Sequence, residues 1–255
     1  MGKSTSLSAL GVCALVAISV LTPCATACQT PFAVAGLTTP GPYLSFADSP
    51  FAGGTYQYFY LEDFEDGALN TPGVSASGGV VLGPDPIYRD SVDGDAGPID
   101  GSGTSGYSYY SDNHRSLEFT FNPAVLGSLP THAGLAWTDV GFSDKGLGYD
   151  TVTFEAFGAD GVSLGSVDLE VGDGDFRGQT AEDRFFGVIN AAGISRITLT
   201  SQFSGDWEMD HLQYGDQTPA VPVPGSLLLA AVGTALAGIC RHARQPWSTL
   251  RSRVR

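Results

Sequence analysis

Between residues 29 and 239 the chain has no cysteine, its four being Cys13, Cys24, Cys28 and Cys240. No internal disulfide can staple that region, so it must hold together by its core, with or without bound metal. Basic side chains are almost as scarce. All 27 acidic residues lie between Asp48 and Asp216, where Arg89, Arg115, Lys145, Arg177, Arg184 and Arg196 are the only basic ones. Six against 27 leaves a formal charge of −21 on this stretch. Such a surface repels nucleic acid, whose binding needs basic groups at phosphate. It also repels anionic membranes and attracts divalent cations.

Catalytic signatures are missing too. There is no Gly-x-Ser-x-Gly elbow, no cysteine nucleophile and no His-Glu-x-x-His helix. His114, His132 and His211 stand isolated, which suits structural or surface roles. Two carboxylates for glycoside hydrolysis can be picked from any set of 27, so their presence argues nothing. The expectation is a protein that is not an enzyme.

The two ends carry different signals. Lys3 precedes an apolar run from Leu7 to Leu21, and Ala25-Thr26-Ala27 supplies the small residues of a cleavage site. The run is short for a bilayer span, so residues 1–27 read as a cleaved export signal. Cleavage there leaves Cys28 first, and its lipidation stays open as an alternative. At the other end, residues 217–225 form a Pro-rich linker containing Val221-Pro222-Val223-Pro224. Residues 226–240 are unbroken apolar and read as a transmembrane helix. Arg241, Arg244, Arg251, Arg253 and Arg255 follow, a basic tail that the positive-inside rule keeps cytoplasmic. The competing reading of 226–240 is a buried helix of the domain.

Between the ends, Gly, Asp, Asn and Pro punctuate short segments of alternating polarity. Strands are predicted at Tyr56–Phe64, Gly79–Leu82, Ser116–Phe121, Ala133–Thr138, Thr151–Gly158, Ser163–Glu170, Phe185–Asn190, Ile194–Ser201 and Trp207–Tyr214. Leu117, Phe119 and Phe121 fall on one face, as do Val152, Phe154 and Ala156. No helical period is sustained over ten residues. The pattern predicts an all-β, jelly-roll or lectin-like sandwich of two antiparallel sheets over 56–216, flanked by the terminal helices. Residues 28–55, low in charge, read as an irregular lead-in with at most an edge strand.

Residues 83–115 are too long and turn-rich for an idle loop. Asp90, Asp93, Asp95 and Asp100 lie within eleven residues, interleaved with glycine. Calcium takes six to eight oxygen ligands, and a kinked loop of alternating acids can deliver several. The spacing is not that of an EF-hand, and a solvated acidic loop is the plain alternative. Asp63 and Glu65 should share a face opposite Phe64. In the last strand Trp207, Met209 and His211 should share one face and Glu208, Asp210 and Leu212 the other. Many extracellular jelly-roll modules pair first and last strands with a structural calcium where they meet. The candidate metal set is thus Asp63, Glu65, Asp93, Asp95 and Asp210, with strand-end solubility as the alternative. Asp173, Asp175 and the Glu182-Asp183-Arg184 turn read as solvated loop, ion-paired to Arg184 or Arg177. Tyr107, Tyr109 and Tyr110 beside the Gly-Ser loop could stack on sugar rings, whereas Tyr56, Tyr58 and Tyr60 suit a sheet core.

The layout of both ends resembles the PEP-CTERM proteins of Gram-negative bacteria, which pair an export signal with a Pro-x-Pro motif, an apolar helix and a basic tail. Here Val223 stands where the family has Glu. The resemblance implies that Pro222 and Pro224 mark a sorting motif read by an exosortase-type enzyme. It also implies display at the cell envelope, outer surface or extracellular matrix, with extracellular polysaccharide as a partner. The middle region is similar to a module of such proteins through Tyr60-Leu61-Glu62-Asp63-Phe64-Glu65-Asp66-Gly67, Asp90-Ser91-Val92-Asp93, Ile99-Asp100-Gly101-Ser102-Gly103, Thr180-Ala181-Glu182-Asp183-Arg184-Phe185-Phe186-Gly187 and Asp210-His211-Leu212-Gln213-Tyr214-Gly215. That likeness implies location and fold, not an activity. The functional expectation is a calcium-stabilised structural or adhesive module engaging exopolysaccharide. A carbohydrate-active enzyme or a purely structural coat protein are the alternatives.

Overall fold

A computed structural model describes residues 36–95, 97–139, 150–171 and 177–217. The predicted signal segment, Cys28, Asp173, Asp175, the motif at Pro222 and Pro224, the apolar stretch 226–240 and the basic tail lie outside them. Among the described residues no helix is long and apolar enough to cross a membrane.

Two antiparallel sheets pack face to face. The five-stranded sheet runs β10 (Ser163–Val171), β9 (Asp150–Gly158), β12 (Ile194–Ser201), β7 (Ser116–Phe121), β4 (Val74–Ala76). The eight-stranded sheet runs β1 (Gly36–Leu37), β11 (Arg184–Ile189), β8 (His132–Trp137), β13 (Glu208–Gln217), β6 (Ser108–Tyr110), β5 (Val80–Leu82). Off that path, β2 (Gly41–Pro42) pairs with β11 and β3 (Tyr56–Glu62) with β13. Every predicted strand has a counterpart. Beyond the one edge strand allowed for in the lead-in segment, the short β1, β2, β4 and β6 were not foreseen, because two or three residues rarely show a period.

Alternation explains the main core. Leu117, Phe119, Phe154, Ile197 and Leu199 face inward from the smaller sheet; Leu135, Trp137, Phe186, Met209 and Tyr214 meet them from the larger. Each such side chain contributes about 1.5–3 kcal/mol by leaving water. Outward, β7 presents Ser116, Glu118 and Thr120 to solvent.

The larger sheet differs in being covered on both faces. All six residues of β8 are buried. Ala133, Leu135 and Trp137 enter the main core, while Ala136 joins Tyr43, Phe51, Val92 and Phe185 in a second, smaller one. That second core is roofed by residues 36–55 and by the long loop before β6. Gly134 must be small here, since a Cβ would meet the Phe186 carbonyl at 2.4 Å and the Phe185 ring at 2.7 Å. Among the described residues, Asp90, Asp93, Glu208 and Asp210 are buried charged groups in or beneath this roof.

Candidate functional site in a buried carboxylate layer

A β-bulge in β13 sets the site. Asp210 lies opposite Ala136 of β8, yet Gln213 lies opposite Gly134, so β13 carries one extra residue between them. His211 absorbs it in the left-handed region at φ 48, a conformation costing on the order of 1–3 kcal/mol outside glycine. The bulge shifts the alternation. Trp207, Met209, Leu212 and Tyr214 face the main core. Glu208, Asp210, His211 and Gln213 are buried beneath the roof. The expected sharing of faces by Met209 with His211, and by Asp210 with Leu212, is therefore corrected. Strict period two cannot anticipate an inserted residue.

Glu208 and Asp210 dock the long loop. The Asp90 N–H donates to Glu208 Oε2 at 2.6 Å and the Val92 N–H to Asp210 Oδ2 at 2.9 Å. Both pairs are two residues apart, so carboxylates stand in for the carbonyls of a neighbouring strand. Thr138 Oγ1 donates to the Asp90 carbonyl at 2.5 Å. The Arg89 guanidinium pairs with Glu208, both buried, and its Nε donates to the Gly83 carbonyl. Burial pushes the Glu208 carboxyl up to about 7, against the opposing pull of Arg89. Asp93 closes the loop on itself, accepting from the N–H groups of Asp100 at 3.2 Å and Gly101 at 2.7 Å. Gly103 crosses so near that a Cβ would sit 2.2 Å from the Ser91 carbonyl oxygen.

One carboxylate group gathers around His211. Its Nε2 lies 2.7 Å from Asp95 Oδ1, and its Nδ1 2.7 Å from the Tyr43 hydroxyl. Gln213 Nε2 donates to that hydroxyl at 2.8 Å, and Ser49 Oγ donates to Gln213 Oε1 at 2.5 Å. The donor order leaves the Tyr43 proton for Nδ1 and a proton on Nε2 for Asp95. Ligand-capable atoms of Asp95, Asp210 and His211 lie within 4.8 Å of one another. Burial first, then the charge of Asp95, pushes the Asp210 carboxyl well above the ordinary range. Glu65 is near enough to be raised by burial and by the charges of Asp95 and Asp63. Of the predicted metal set, the structure thus brings Asp95 and Asp210 together, while Glu65 feels the charge of Asp95 and its Oε1 accepts from the Tyr107 N–H at 2.6 Å. Asp93 serves its own loop, and Asp63 Oδ1 accepts from the Glu65 N–H at 3.2 Å.

A second group lies where strands end. Trp137 at the end of β8 is opposite both Arg184 of β11 and Met209 of β13. Asp139 therefore leaves β8 beside the Glu182-Asp183 pair that leads into β11. Asp90, docked on Glu208 and Thr138, completes the group. Asp90 is 2% exposed, Glu182 2% and Asp183 0%. The expectation of a solvated turn at 182–184 is corrected. That turn feeds a strand covered on both faces, and the Arg184 guanidinium donates to the carbonyls of Ala181 and Asp183. Burial and mutual like charge push both Asp90 and Asp183 well up. Sequence reasoning placed Asp90 in the calcium-suited stretch 90–100 but did not single out Asp139, Glu182, Asp183 or Glu208 as ligands. For Glu182, Asp183 and Glu208 the signal was presence in acidic runs, which is weak among 27 acids, and Asp139 stands alone in the sequence.

The tyrosines divide. Pairing of β6 with β5 and β13 sends Tyr109 into the main core, where its hydroxyl donates to the Gly78 carbonyl at 2.7 Å. It is 5% exposed and offers no face for stacking, which corrects that expectation. Tyr107 and Tyr110 are half-buried. Among the described residues the exposed aromatic ring is Tyr88, 62% accessible, next to exposed Ile87. Asp85 Oδ1 accepts the N–H groups of both residues at 2.9 Å, shaping the tip. Beside it Pro84, Asp85, Pro86, Thr104 and Ser105 line an open pocket of about 310 Å³.

No family model matches the chain, and no curated protein matches it. Among solved structures it is similar to the CBM22-2 xylan-binding domain from Paenibacillus barcinonensis Xyn10C, at 15% identity and a TM-score of 0.33. The similarity covers 62% of this chain and 99% of that one. A resemblance so distant bears on neither the ligand nor the site.

Proposed function

We propose that the chain is an exported sandwich of jelly-roll type, stabilised by calcium, with a structural or adhesive and non-catalytic role in contact with extracellular polysaccharide. One observation carries the reading: Asp95 and Asp210 face each other in a nearly dry layer with Glu65 and His211 alongside. Asp95 Oδ2 finds no hydrogen-bond donor among the described residues. Like charges so placed call for a counter-charge, and calcium accepts several carboxylate oxygens at once. Ionic linkage there would fasten the long loop to β13. At its outer tip that loop displays Tyr88 and Ile87 beside the pocket at Pro84 and Pro86. The sequence layout supplies the rest. In this reading Pro222 and Pro224 form the motif for an exosortase-type enzyme, and residues 226–240 anchor the chain in the membrane.

Affinity gels cast with bacterial and plant polysaccharides test the reading, alongside assays of reducing-sugar release. Retention in calcium, lost in chelator and weakened by Tyr88→Ala without loss of fold, is the expected result. Sugar release without retention would instead identify a carbohydrate-active enzyme, and neither signal a coat protein. In thermal melts, calcium at about a hundredfold excess over Kd should add ~2.7 kcal/mol, or about 5–10 °C in Tm for a domain of this size. Magnesium should not reproduce the gain.

A further inference from the structure

We infer that Asp90, Asp139, Glu182 and Asp183 form a second, all-oxygen cation site suited to calcium, separate from the centre around Asp95 and Asp210. The inference begins with Asp90 and Asp183. All four of their carboxylate oxygens are out of water, and none accepts a hydrogen bond among the described residues. Buried carboxylates are ordinarily paired or metal-bound, because an uncompensated one costs several kcal/mol. The Asp95 centre is unlike this, since there a histidine, a tyrosine and a glutamine already form a connected network.

Topology makes the convergence specific. The strand register places the end of β8 beside the start of β11 on one side and the start of β13 on the other. Residues just beyond those ends, Asp139 and the Glu182-Asp183 pair, are thereby brought to one corner of the sheet. The long loop adds Asp90 there, its N–H held by Glu208 and its carbonyl by Thr138. A Cβ on Gly103 would lie 2.9 Å from Asp90 Oδ1, so that carboxylate is walled in by backbone. Among the described residues, Arg89 is engaged with Glu208 and Gly83, and Arg184 donates to two carbonyls while its charge only partly offsets the burial and like charge at Asp183. Asp93 and Glu208 add further negative charge to the same corner.

The chemistry selects the ion. Every candidate donor is a carboxylate oxygen, which suits a hard cation and not zinc or copper. Magnesium holds several of its waters and demands octahedral geometry, whereas calcium accepts a dry, carboxylate-rich cage. Bound there, calcium would join two strand ends to the loop.

Calorimetric titration of the purified full-length chain with calcium chloride, after stripping with EGTA, tests the inference. Asp183→Asn and Asp90→Asn should each take up one calcium fewer than the parent, while Asp210→Asn should lose the other one. Because an amide removes a buried like charge, Asp183→Asn should also melt higher than the parent in EGTA yet lose part of the calcium-induced rise. Parental stoichiometry in both Asp183→Asn and Asp90→Asn would overturn this site. Loss of calcium in those variants alone, with Asp210→Asn unaffected, would keep it and sink the Asp95–Asp210 centre. An absence of calcium uptake by the parent chain would remove both.

Discussion

The His132 ring stands edge-on to Phe51 and Tyr56, with centroids 5.2 and 5.5 Å away, and its Nδ1 lies 3.0 Å from Thr131 Oγ1. Burial lowers its proton affinity, and the Asp216 carboxylate only partly opposes that. A folded-state value below the unfolded one means that protonation favours unfolding. The stability linked to this ring is complete above the ordinary histidine range and is lost as pH falls through the lowered value. Buried carboxylates with raised values act in the opposite sense, so the informative quantity is a difference between chains. His132→Gln should lose less Tm between pH 7.5 and pH 5 than the parent, both in excess calcium. Equal losses would show that the ring titrates as if exposed. At this scale little was legible. His211 meets Asp95 across 116 residues and Tyr43 across 168, so an isolated histidine in the sequence is not isolated in space. Phe64, by contrast, was expected to point inward and is fully buried, although it lies just past the end of β3 in the left-handed region at φ 56 and not on an alternating strand.

Among the elements, β13 and the loop it carries depend on each other. Period two located all of β7 and β12 and β13 as far as Tyr214, because each has one face on the main core and polar residues between. The same pattern misplaced His211 and Leu212, since a bulge leaves no signature in composition. The stretch 83–115 stood out by length and turn content, but its anchorage is made by side chains from a distant strand. Glu208 is central to that anchorage. Replacing it with Ala leaves Arg89 buried without its partner, a change costing about 3–5 kcal/mol. It also frees the Asp90 N–H. Glu208→Gln keeps an acceptor for that N–H and should cost less. Urea unfolding should rank the chains parent, Gln, Ala, and limited proteolysis should cut Glu208→Ala first within 83–107. If Ala and Gln proved equal, the ion pair would not be what fastens the loop.

For the molecule as a whole, the decisive feature is that one sheet is covered twice. The sequence of β8 hints at this, because His-Ala-Gly-Leu-Ala-Trp lacks the polar alternation of a half-exposed strand. What covers it was not legible. Residues 36–55 carry no period and contribute only two-residue strands, yet they supply Tyr43 and Phe51 to the second core. Tyr43 also holds His211 and accepts from Gln213, so it ties the apolar and charged parts of the roof together. Removing residues 1–55 would uncover Ala136, Phe185 and Val92 and strand the polar network. Losing two buried aromatics costs about 3–5 kcal/mol apiece, a large share of the ~5–15 kcal/mol available to a domain. A chain starting at Tyr56 should therefore bind a hydrophobic dye and lack a cooperative melt in calcium, whereas one starting at Gly36 should melt as a single transition. If the chain from Tyr56 melted as sharply and as high, the roof would be an ornament on a self-sufficient sandwich. Calcium sites beneath it would then have to be sought in the sheets alone.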